Sequence, residues 1–435
     1  MKSFTRKGKM GFSDLTLFMM NMLNKTMQSE LNSFIKNIKK KKISYSKSAI
    51  SKARVKISPE LFIDLNKGLV EDIYEDKEEI KLHYGFRILG VDGSTLSLPN
   101  MGILKDKKQS KDIIEIYGRA KNQKGSHGVT PRVSIMYDLE NKIILDGILN
   151  SNDSSERYMA IEHIDQLLEY NKNIKEKYKD LLIYDRGYPS MGLIKYHNKY
   201  SLDFLMRINS KSFSAVQAFR RSKKQDEILE IEVTSGILRG FKKEKNHPNL
   251  KELGNELKVG ETVKVRAIKV ILQNGTVEVL LTSLVSQEKY KTEIFQALYF
   301  KRWGVELSYN VLKNIFNIEN FSGLTQIAIN QDFFATILTN NICSLVMNEV
   351  MDEKVSLYNE AKKRKYLYQL NTNFSIGCMK DKLVLMLQKN TREEKIFDMI
   401  EAEILTNLLP IKHNRNFKRK KNSSTKFPVS KKASF

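Results

Sequence analysis

Four residues with side chains that can act on phosphate are regularly spaced in this 435-residue chain: Tyr299, Arg302, Glu306 and Lys313. On a helix of 3.6 residues per turn they fall within about 60° of one another, on a single face. A carboxylate between cations suits a metal ion held beside phosphates. The alternative is an ordinary salt-bridged helix face, because Arg302 and Glu306 form an i,i+4 pair. Taken alone, the segment leaves both interpretations open.

Two further carboxylates follow short apolar runs, Asp92 in RILGVDGSTLSLP and Asp185 in KDLLIYDRGYPS. Each run is predicted to be a buried strand whose last residue is acidic, followed by a turn with glycine. Catalytic groups favour such strand ends because the sheet is rigid while its edge is open to substrate. Either aspartate alone is explained as a turn cap. Turn capping does not explain why two such aspartates occur together with the predicted helix that carries Tyr299, Arg302, Glu306 and Lys313 on one face.

Three hard oxygen ligands from separate elements suit a pair of Mg²⁺ ions, with Mn²⁺ as a substitute. Two such ions can activate a nucleophile and stabilise the leaving oxygen of a phosphoryl transfer. The sequence has no glycine-rich phosphate loop, so side chains and metal must hold the phosphate. Zinc is not expected, because Cys343 and Cys378 stand alone without a nearby pair of histidines.

The segments around the two aspartates predict one order of elements. RVSIMYDLE and KIILDGILN are predicted to form an antiparallel hairpin, Ser155 to Tyr170 a helix, Ser190 to His197 a short helix, and DFLMRIN a strand. The predicted order is that of a ribonuclease H-like α/β fold. It consists of three strands, a helix, a strand, a helix, a strand and a later helix that carries the third acid. We therefore expect a catalytic core made of residues 86–209 and 290–345.

Residues 210–289, between those two parts, predict a β-rich insertion. TVKVRAIKVILQNGTVEVLLTSL contains two alternating runs around Asn274-Gly275, which is a strong hairpin signal, and EILEIEVTSG adds another strand. The insertion explains why Asp185 and Glu306 lie far apart in the sequence. Residues 1–85 are predicted to be helical and basic, and residues 346–435 to be helical with a basic, disordered tail.

These motifs resemble those of the DDE transposases of bacterial insertion sequences, and more narrowly the group named for its Tyr-Arg-Glu-Lys signature. The resemblance rests on GVDGS, YDRGYPS and Tyr-x2-Arg-x3-Glu-x6-Lys, and it extends through NSNDSSERYMAIEHI and ENFSGLTQIAINQDFFATILTNNI. It implies a catalytic triad of metal ligands consisting of Asp92, Asp185 and Glu306. It also implies contacts with DNA phosphates beside the cleaved bond from Tyr299, Arg302 and Lys313.

The same resemblance implies further roles for the flanking regions. The β-rich insertion would clasp DNA near the cut, and the helical C-terminal region would pair two protomers. A homodimer would then hold both ends of the insertion sequence in the DNA complex. In similar transposases the freed 3′-OH attacks the opposite strand and forms a hairpin end.

Trp303, the only tryptophan, lies inside the signature. It can stack on an unpaired terminal base and so bind DNA, or it can pack in the core. The core is the favoured interpretation because the neighbouring helix surface is apolar and is predicted to pack on several sides. Its apolar residues are Phe300, Val305, Leu307, Val311 and Leu312.

Composition points to nucleic acid as the partner. The chain has 74 Lys+Arg against 50 Asp+Glu, a formal net charge of +24, which predicts salt-dependent binding to phosphate backbones. The tail NRNFKRKKNSSTKFPVSKKASF favours non-specific DNA contact over a merely solubilising role, and Lys39 to Lys42 form a second basic block. LTLFMMNML is too short to span a bilayer and is predicted to be a packed helix. We expect a soluble cytoplasmic protein without membrane contact, associated with the nucleoid through DNA.

The N-terminal region contains two predicted helices across a tight joint. Ser46 is predicted to cap the first, which carries Lys52 and Arg54 on its polar side, and Ser58-Pro59 to start the second. This arrangement is typical of a helix-turn-helix reader, so Lys52 and Arg54 are predicted to bind the terminal inverted repeats. The alternative is a plain helical bundle that braces the catalytic domain.

The sequence therefore predicts a DNA transposase that binds the terminal inverted repeats of its insertion sequence and performs metal-dependent strand cleavage and strand transfer into target DNA. Two alternatives are a catalytically idle DNA-binding protein derived from a transposase and a ribonuclease H-like DNA nuclease that does not transpose. The intact acids and signature count against decay. A nuclease that does not transpose would need no region that binds the terminal inverted repeats, and residues 1–85 are predicted to be such a region.

Overall fold

The computed structural model of the protein describes residues 10–21, 25–39, 45–99, 107–121, 127–209, 212–242, 248–271, 275–361, 364–388 and 392–412. The strands are Arg87–Thr95 (β1), Arg119–Lys121 (β2), His127–Val129 (β3), Arg132–Asp138 (β4), Ile144–Asn150 (β5), Asp180–Tyr184 (β6), Asp203–Ile208 (β7), Asp226–Glu232 (β8), Thr262–Ile271 (β9), Val277–Thr282 (β10), Tyr368–Gln369 (β11) and Leu409–Pro410 (β12). The α-helices are Phe12–Met20 (α1), Met27–Ser33 (α2), Lys47–Arg54 (α3), Glu60–Glu75 (α4), Lys107–Tyr117 (α5), Glu156–Asn173 (α6), Met191–Lys199 (α7), Ser214–Arg221 (α8), Ser235–Lys242 (α9), Pro248–Glu256 (α10), Ile294–Phe300 (α11), Trp303–Asn314 (α12), Gln326–Val350 (α13), Ser356–Glu360 (α14), Thr372–Met379 (α15), Lys382–Met386 (α16) and Glu393–Leu405 (α17). Two π-helical segments, Phe34–Ile38 and Met351–Val355, extend α2 and α13.

Eight strands form one mixed sheet in the order β5-β4-β1-β6-β7-β10-β9-β8. Strands β1, β6 and β7 are parallel to one another, whereas β4 and β5 on one side and β10, β9 and β8 on the other pair antiparallel with their neighbours. The elements predicted for residues 86–209 occur in the predicted order: the hairpin is β4–β5, the two helices are α6 and α7, and the following strand is β7. Helix α5 and the short strands β2 and β3, which lie between β1 and β4, were not predicted. The fold is a mixed α/β architecture with a large central sheet and helices.

Side-chain alternation along the strands supplies two apolar faces, and each is covered by different helices. Leu89 and Val91 of β1 point into a core that includes Ile161 of α6 and Leu193 of α7. On the opposite face, the strands pack against α11, α12 and α13, for example through Ile135 of β4. A strand buried on both faces reads as a continuous apolar run, which explains why RILGV was recognisable in the sequence.

The predicted insertion continues the same sheet. Strand β10 pairs with β7, with Leu281 opposite Met206, and β9 and β8 then add to the edge. Helices α8, α9 and α10 accompany these strands, so the segment is less purely β than predicted. Asn274 of the predicted turn lies outside the described residues, although β9 and β10 pair as the hairpin requires. The division of this segment from the core remains a prediction.

Helix α13 runs without interruption from Gln326 to Val350 and therefore crosses the boundary predicted between residues 345 and 346. Buried residues continue along it on both sides of that point, including Cys343 and Val346, so the packing gives no reason for a break. Beyond α13 the described part of the chain is mostly helical, as predicted. The basic tail from residue 413 onward and Lys40 to Lys42 lie outside the described residues.

The N-terminal helices pack against α13 rather than standing apart. Leu15 and Phe18 of α1 are buried, which confirms the prediction of a packed helix there. The Ser46 side chain accepts a hydrogen bond from the Ala49 N–H at 3.2 Å and so caps α3 as predicted. Helix α4 begins at Glu60, one residue later than predicted. In the part of the chain that the structure describes, no helix is both long and apolar enough to cross a membrane.

Candidate active site

The two predicted aspartates lie side by side at one end of the sheet. The parallel ladder between β1 and β6 ends with Val91 opposite Tyr184, so the next residues are Asp92 and Asp185. Asp185 directly follows β6, which ends at Tyr184, one residue earlier than predicted. The prediction that Asp92 ends its strand is wrong, because β1 continues to Thr95 against β4. Only the pairing of β1 with β6 stops before Asp92, so Asp92 has no strand beside it on the β6 side.

The prediction of a single helix from Tyr299 to Lys313 is also wrong. Helices α11 and α12 are separate, and Lys301 and Arg302 form a tight turn between them. In this turn the Arg302 N–H donates to the Tyr299 carbonyl at 3.1 Å, and the Gly304 N–H donates to the Lys301 carbonyl at 2.8 Å. Hydrogen bonds between residues three apart are typical of the tighter 3₁₀ geometry. The turn changes the relative orientation of the predicted stripe without separating its members.

A glycine in β1 allows α12 to approach the sheet closely. A Cβ atom at Gly90 would lie 2.3 Å from Cγ2 of Val305, so no side chain fits at this position. Gly90 is two residues before Asp92, and Val305 immediately precedes Glu306. The close contact therefore fixes the distance between the strand that carries the first acid and the helix that carries the third.

Arg302 lies between two of the predicted acids. Its Nη2 donates to Glu306 Oε1 at 2.9 Å, and its Nη1 lies 3.6 Å from Asp92 Oδ2. The side chain is only 5% exposed, and its Nε has no hydrogen-bond partner among the described residues. The ion pair between Arg302 and Glu306, which the salt-bridge interpretation predicted, is therefore present. Arg302 also contacts Asp92, which lies on β1 rather than on the helix.

Asp185 is held by donors from two other elements. The Tyr299 hydroxyl donates to Asp185 Oδ1 at 3.1 Å, and Arg207 Nη2 lies 2.9 Å from the same oxygen. Glu278 orients Arg207 by accepting from its Nη1 at 2.7 Å. Burial alone would raise the pKa of Asp185, but the Arg186 N–H and the charges of Arg207 and Arg302 outweigh burial and lower it. Asp185 is therefore ionised.

Asp92 has the opposite electrostatic character. Burial raises the pKa of Asp92 to about 6; the Gly93 N–H and Arg302 oppose this rise, and the charges of Asp185 and Glu156 add to it. The Gly93 N–H donates to Asp92 Oδ1 at 2.9 Å. A carboxylate with a raised pKa beside other acids is typical of a site that awaits a cation.

The backbone of Asp92 is anchored by two hydroxyl groups. The Tyr309 hydroxyl donates to the Asp92 carbonyl oxygen at 2.9 Å, and the Ser134 hydroxyl donates to it at 3.2 Å. Ser134 also lies 2.9 Å from Nε2 of His163, whose Nδ1 lies 2.6 Å from Asp146 Oδ2. These hydrogen bonds link β5, α6, β4 and β1 and hold the backbone of Asp92 in a fixed position.

Lys313, in the last turn of α12, contacts the part of β1 that lies beyond Asp92. Its Nζ donates to the Ser94 hydroxyl and to the Thr95 carbonyl, both at 2.8 Å. Burial lowers the pKa of Lys313, with the charge of Glu319 opposing the change. Lys313 therefore reaches from α12 to the end of β1, two and three residues beyond Asp92.

Trp303 is on the surface, and the favoured prediction of core packing is wrong. Its side chain is 47% exposed, and the neighbouring Phe300 and Leu307 are 70% and 64% exposed. The helix does not pack on several sides as expected. The Arg302 guanidinium lies 5.3 Å from the Trp303 ring centre, which orients the indole beside the acids. An exposed apolar patch next to polar groups is typical of a binding surface.

Arg54 is buried, so its predicted role in DNA binding is wrong. The side chain is 4% exposed; Nε donates to Gln331 Oε1 at 2.7 Å and Nη2 to Asp332 Oδ1 at 2.8 Å. Arg54 thus joins α3 to α13 inside the protein, because α13 supplies the carboxylate and amide that its charge requires. Lys52 is exposed, and its predicted role in DNA binding remains a prediction.

Several residues of this site were not found by sequence reasoning. They are Arg207 and Glu278, which position Asp185, Tyr309, and the chain formed by Ser134, His163 and Asp146. Arg207 and Glu278 lie inside apolar strands, DFLMRIN and TVEVLL, and a lone charge in such a strand is a usable signal. The other residues have no local signal, since their partners come from distant segments.

The three acids have the donor chemistry that divalent magnesium or manganese requires, namely hard carboxylate oxygens from separate elements. As the side chains stand, no three acidic, histidine or cysteine side chains in the described ranges converge closely enough to hold a metal ion. Arg302 lies in the space between Asp92 and Glu306, which accounts for their separation. The residue types therefore fit such ions.

No curated protein matched the chain. Among solved structures, the chain is similar to a piggyBac transposase in a cryo-EM structure of its synaptic complex with hairpin DNA, with a TM-score of 0.41, 12% identity, and coverage of 90% of this chain and 75% of that one. A similarity at this level does not establish a shared fold. Residues 83–342 match the family described as Transposase DDE domain, and this range contains Asp92, Asp185 and Glu306. The chain belongs to the transposase DDE domain family.

Proposed function

We propose that this protein is a DNA transposase of the bacterial insertion-sequence type, in the group with the Tyr-Arg-Glu-Lys signature. It binds the terminal inverted repeats of its element, cleaves DNA there and transfers the freed strand to target DNA. Its core is ribonuclease H-like, which the strand order β5-β4-β1-β6-β7 with β1, β6 and β7 parallel supports. Membership of the transposase DDE domain family supports the reaction class.

One observation supports the proposal: two acids from distant segments lie side by side at one end of the sheet, and a single arginine side chain separates the third acid from them. Asp92 and Asp185 are adjacent by strand register, and Arg302 links Asp92 to Glu306. Structural salt bridges do not require two aspartates at the open end of a parallel ladder.

Asp92, Asp185 and Glu306 are the residues that would hold two Mg²⁺ ions, for which Mn²⁺ can substitute. Bound ions of this kind supply activation of an attacking oxygen and stabilisation of the leaving oxygen in phosphoryl transfer. The chain supplies orientation. Tyr299 and Arg207 fix the carboxylate of Asp185, and the close contact at Gly90 fixes the distance to Glu306.

Arg302, Lys313 and Tyr299 contact the DNA phosphates beside the cleaved bond. The Arg302 guanidinium has an unused Nε and exchanges its carboxylate partners for a phosphate oxygen, which frees the acids. Trp303, exposed beside Arg302, stacks on a base at the unpaired end. Lys52 on α3 contributes to binding farther along the repeat.

Two protomers hold the two ends of the element during cleavage, so the working form is a homodimer on DNA. Both ends must be cut in a coordinated manner, and a single site acts on one bond at a time. The protein acts in the cytoplasm on the chromosome, consistent with its net charge of +24.

The test is cleavage of a labelled duplex that carries the inverted repeat flanking the gene, in Mg²⁺, by wild type and by Asp185→Asn. We expect the wild type to cut at the edge of the repeat. Asp185→Asn keeps the size of the side chain but removes its charge, so cutting should fall to background while a gel-shift assay gives a dissociation constant within about threefold of wild type.

Three results would contradict the proposal. If Asp185→Asn cuts as fast as wild type, the assignment of the acids is wrong. If the wild type retards the repeat in the gel but never cuts it, with or without a partner repeat, the protein is an idle DNA-binding protein. Equal cutting of the repeat and of a scrambled duplex would indicate a nuclease without transposition.

A further inference from the structure

A fourth carboxylate, Glu156, lies against the turns that follow both aspartates. It is the first residue of α6, directly after the β4–β5 hairpin. A Cβ atom placed on Gly93 would lie 3.0 Å from Cγ and 3.0 Å from Oε1 of Glu156. A Cβ atom on Gly187 would lie 3.8 Å from its Oε2. The glycines of the GVDGS and DRG motifs therefore leave room for one and the same side chain.

Glu156 is not committed to a partner inside the protein. Its closest cation among the described residues is Arg132, whose Nη1 lies 3.7 Å from Oε1, longer than a direct hydrogen bond. The side chain of Glu156 is 40% exposed, so its carboxylate is accessible from the open end of the sheet. The charge acts on the proposed active centre, because Glu156 helps to raise the pKa of Asp92.

An independent observation comes from Tyr188. The side chain is 1% exposed, and its hydroxyl has no hydrogen-bond partner in the described part of the chain. Burial, followed by the charges of Asp92 and Glu156, raises the pKa of this hydroxyl, so it remains a neutral donor. A buried hydroxyl without an acceptor costs free energy. A water or phosphate oxygen bound at the acids would supply that acceptor.

The charge balance gives a reason for a fourth acid. Arg302 neutralises part of the charge of Asp92 and Glu306, so the three acids alone are a weak site for two divalent cations. Glu156 restores the negative charge on the face of the sheet opposite Arg302, since α6 and α12 cover different faces.

We propose that Glu156 is a fourth acidic residue of the active centre, acting with Asp92 on a divalent cation, and that the Tyr188 hydroxyl donates to an oxygen bound there. This assignment rests on the proposed transposase function. It also gives a reason for glycine at position 93, where a Cβ atom would press on the Glu156 side chain.

The experiment measures Mn²⁺ binding to the full-length, DNA-free protein by electron paramagnetic resonance, together with cleavage of the repeat duplex. Glu156→Gln is compared with wild type and with Glu60→Gln. Glu60 is a matched control because it is also the exposed first residue of a long helix, α4, and is part of no site described above. We expect Glu156→Gln to weaken Mn²⁺ binding about ten- to hundredfold and to slow cleavage by a similar factor. Glu60→Gln should match wild type in both.

Unchanged Mn²⁺ binding and cleavage in Glu156→Gln would overturn the inference. If Glu156→Gln does not fold, Glu156→Asp decides, because it keeps the charge and shortens the side chain by one methylene. Weakened Mn²⁺ binding by a Glu156→Asp protein with wild-type thermal unfolding supports the inference, and unchanged binding overturns it. A wild-type protein that neither binds Mn²⁺ nor cuts would instead remove the proposed function itself.

Discussion

The contact between Gly90 and α12 predicts a large effect from adding one methyl group. In Gly90→Ala the new Cβ would lie 2.3 Å from Val305 Cγ2 and 3.3 Å from Leu139 Cδ2. The first distance is about 1 Å short of ordinary van der Waals contact. Valine has a stiff χ1 and cannot turn its methyl group away freely. Helix α12 must therefore move outward, and Glu306 moves with it.

A displacement of about 1 Å between catalytic groups costs roughly 100-fold in rate. We therefore expect Gly90→Ala to cleave about 100-fold more slowly, which corresponds to about 2.7 kcal/mol of barrier. The strain should also lower the free energy of unfolding by about 1–3 kcal/mol. DNA affinity should stay near wild type, because Gly90 and Val305 are buried and do not face DNA.

The assay is single-turnover cleavage of the labelled repeat duplex by Gly90→Ala, Val305→Ala and the double variant. Val305→Ala removes the Cγ2 methyl group that the new Cβ would meet, so the double variant should recover at least tenfold of the lost rate. Gly90→Ala cutting at the wild-type rate would refute the reasoning. So would a double variant as slow as Gly90→Ala, because the loss would then not arise from this contact.

Three further predictions concern separate parts of the molecule. Trp303→Ala should weaken binding to a repeat with an unpaired terminal base by about 5- to 150-fold. Leu307→Ala, which removes another exposed apolar side chain of α12, should leave this binding unchanged, as measured by fluorescence anisotropy. Arg54→Ala should lower the free energy of unfolding by about 3 kcal/mol in urea titrations, because the partly buried Asp332 loses its cation and the buried Gln331 oxygen loses its donor. The exposed Lys52→Ala is the control and should leave the free energy of unfolding unchanged. Asp92→Asn should stabilise the metal-free protein at pH 7 by up to about 3 kcal/mol, because the folded-state pKa of Asp92 of about 6 lies above its ordinary value of 3.8. The stability that protonated Asp92 provides is present below pH 4 and is lost as pH rises through 6, so the advantage of Asp92→Asn should disappear in thermal melts at pH 4.

The elements that carry the acids were predictable because their signals are local. The apolar run before Asp92 and the run before Asp185 each bury both faces of a central strand, and this requires a continuous stretch of apolar residues. Their adjacency was not predictable, because the pairing of Val91 with Tyr184 depends on strand register between segments far apart in sequence. The same limit applies to the tight turn at Lys301 and Arg302, which contains neither glycine nor proline.

Burial was the property that the sequence predicted least well. Trp303 was expected in the core because its neighbours are apolar, yet Phe300 and Leu307 are themselves exposed. Functional surfaces break the usual pattern of apolar residues inside, so a local rule fails at such a site. Arg54 fails in the opposite direction: it is buried because α13 supplies Asp332 and Gln331 from a distant segment.

The most direct test of the central claim asks whether the three acids bind the catalytic metal ions. Each of Asp92, Asp185 and Glu306 is changed in turn to cysteine, and cleavage of the repeat duplex is measured in Mg²⁺ and in Mn²⁺. Thiolate is a poor ligand for Mg²⁺ and a better one for Mn²⁺. We predict that all three variants lose cleavage in Mg²⁺ and recover part of it in Mn²⁺, while wild type cuts with either ion. Cleavage in Mg²⁺ at the wild-type rate by any of the three would contradict the account.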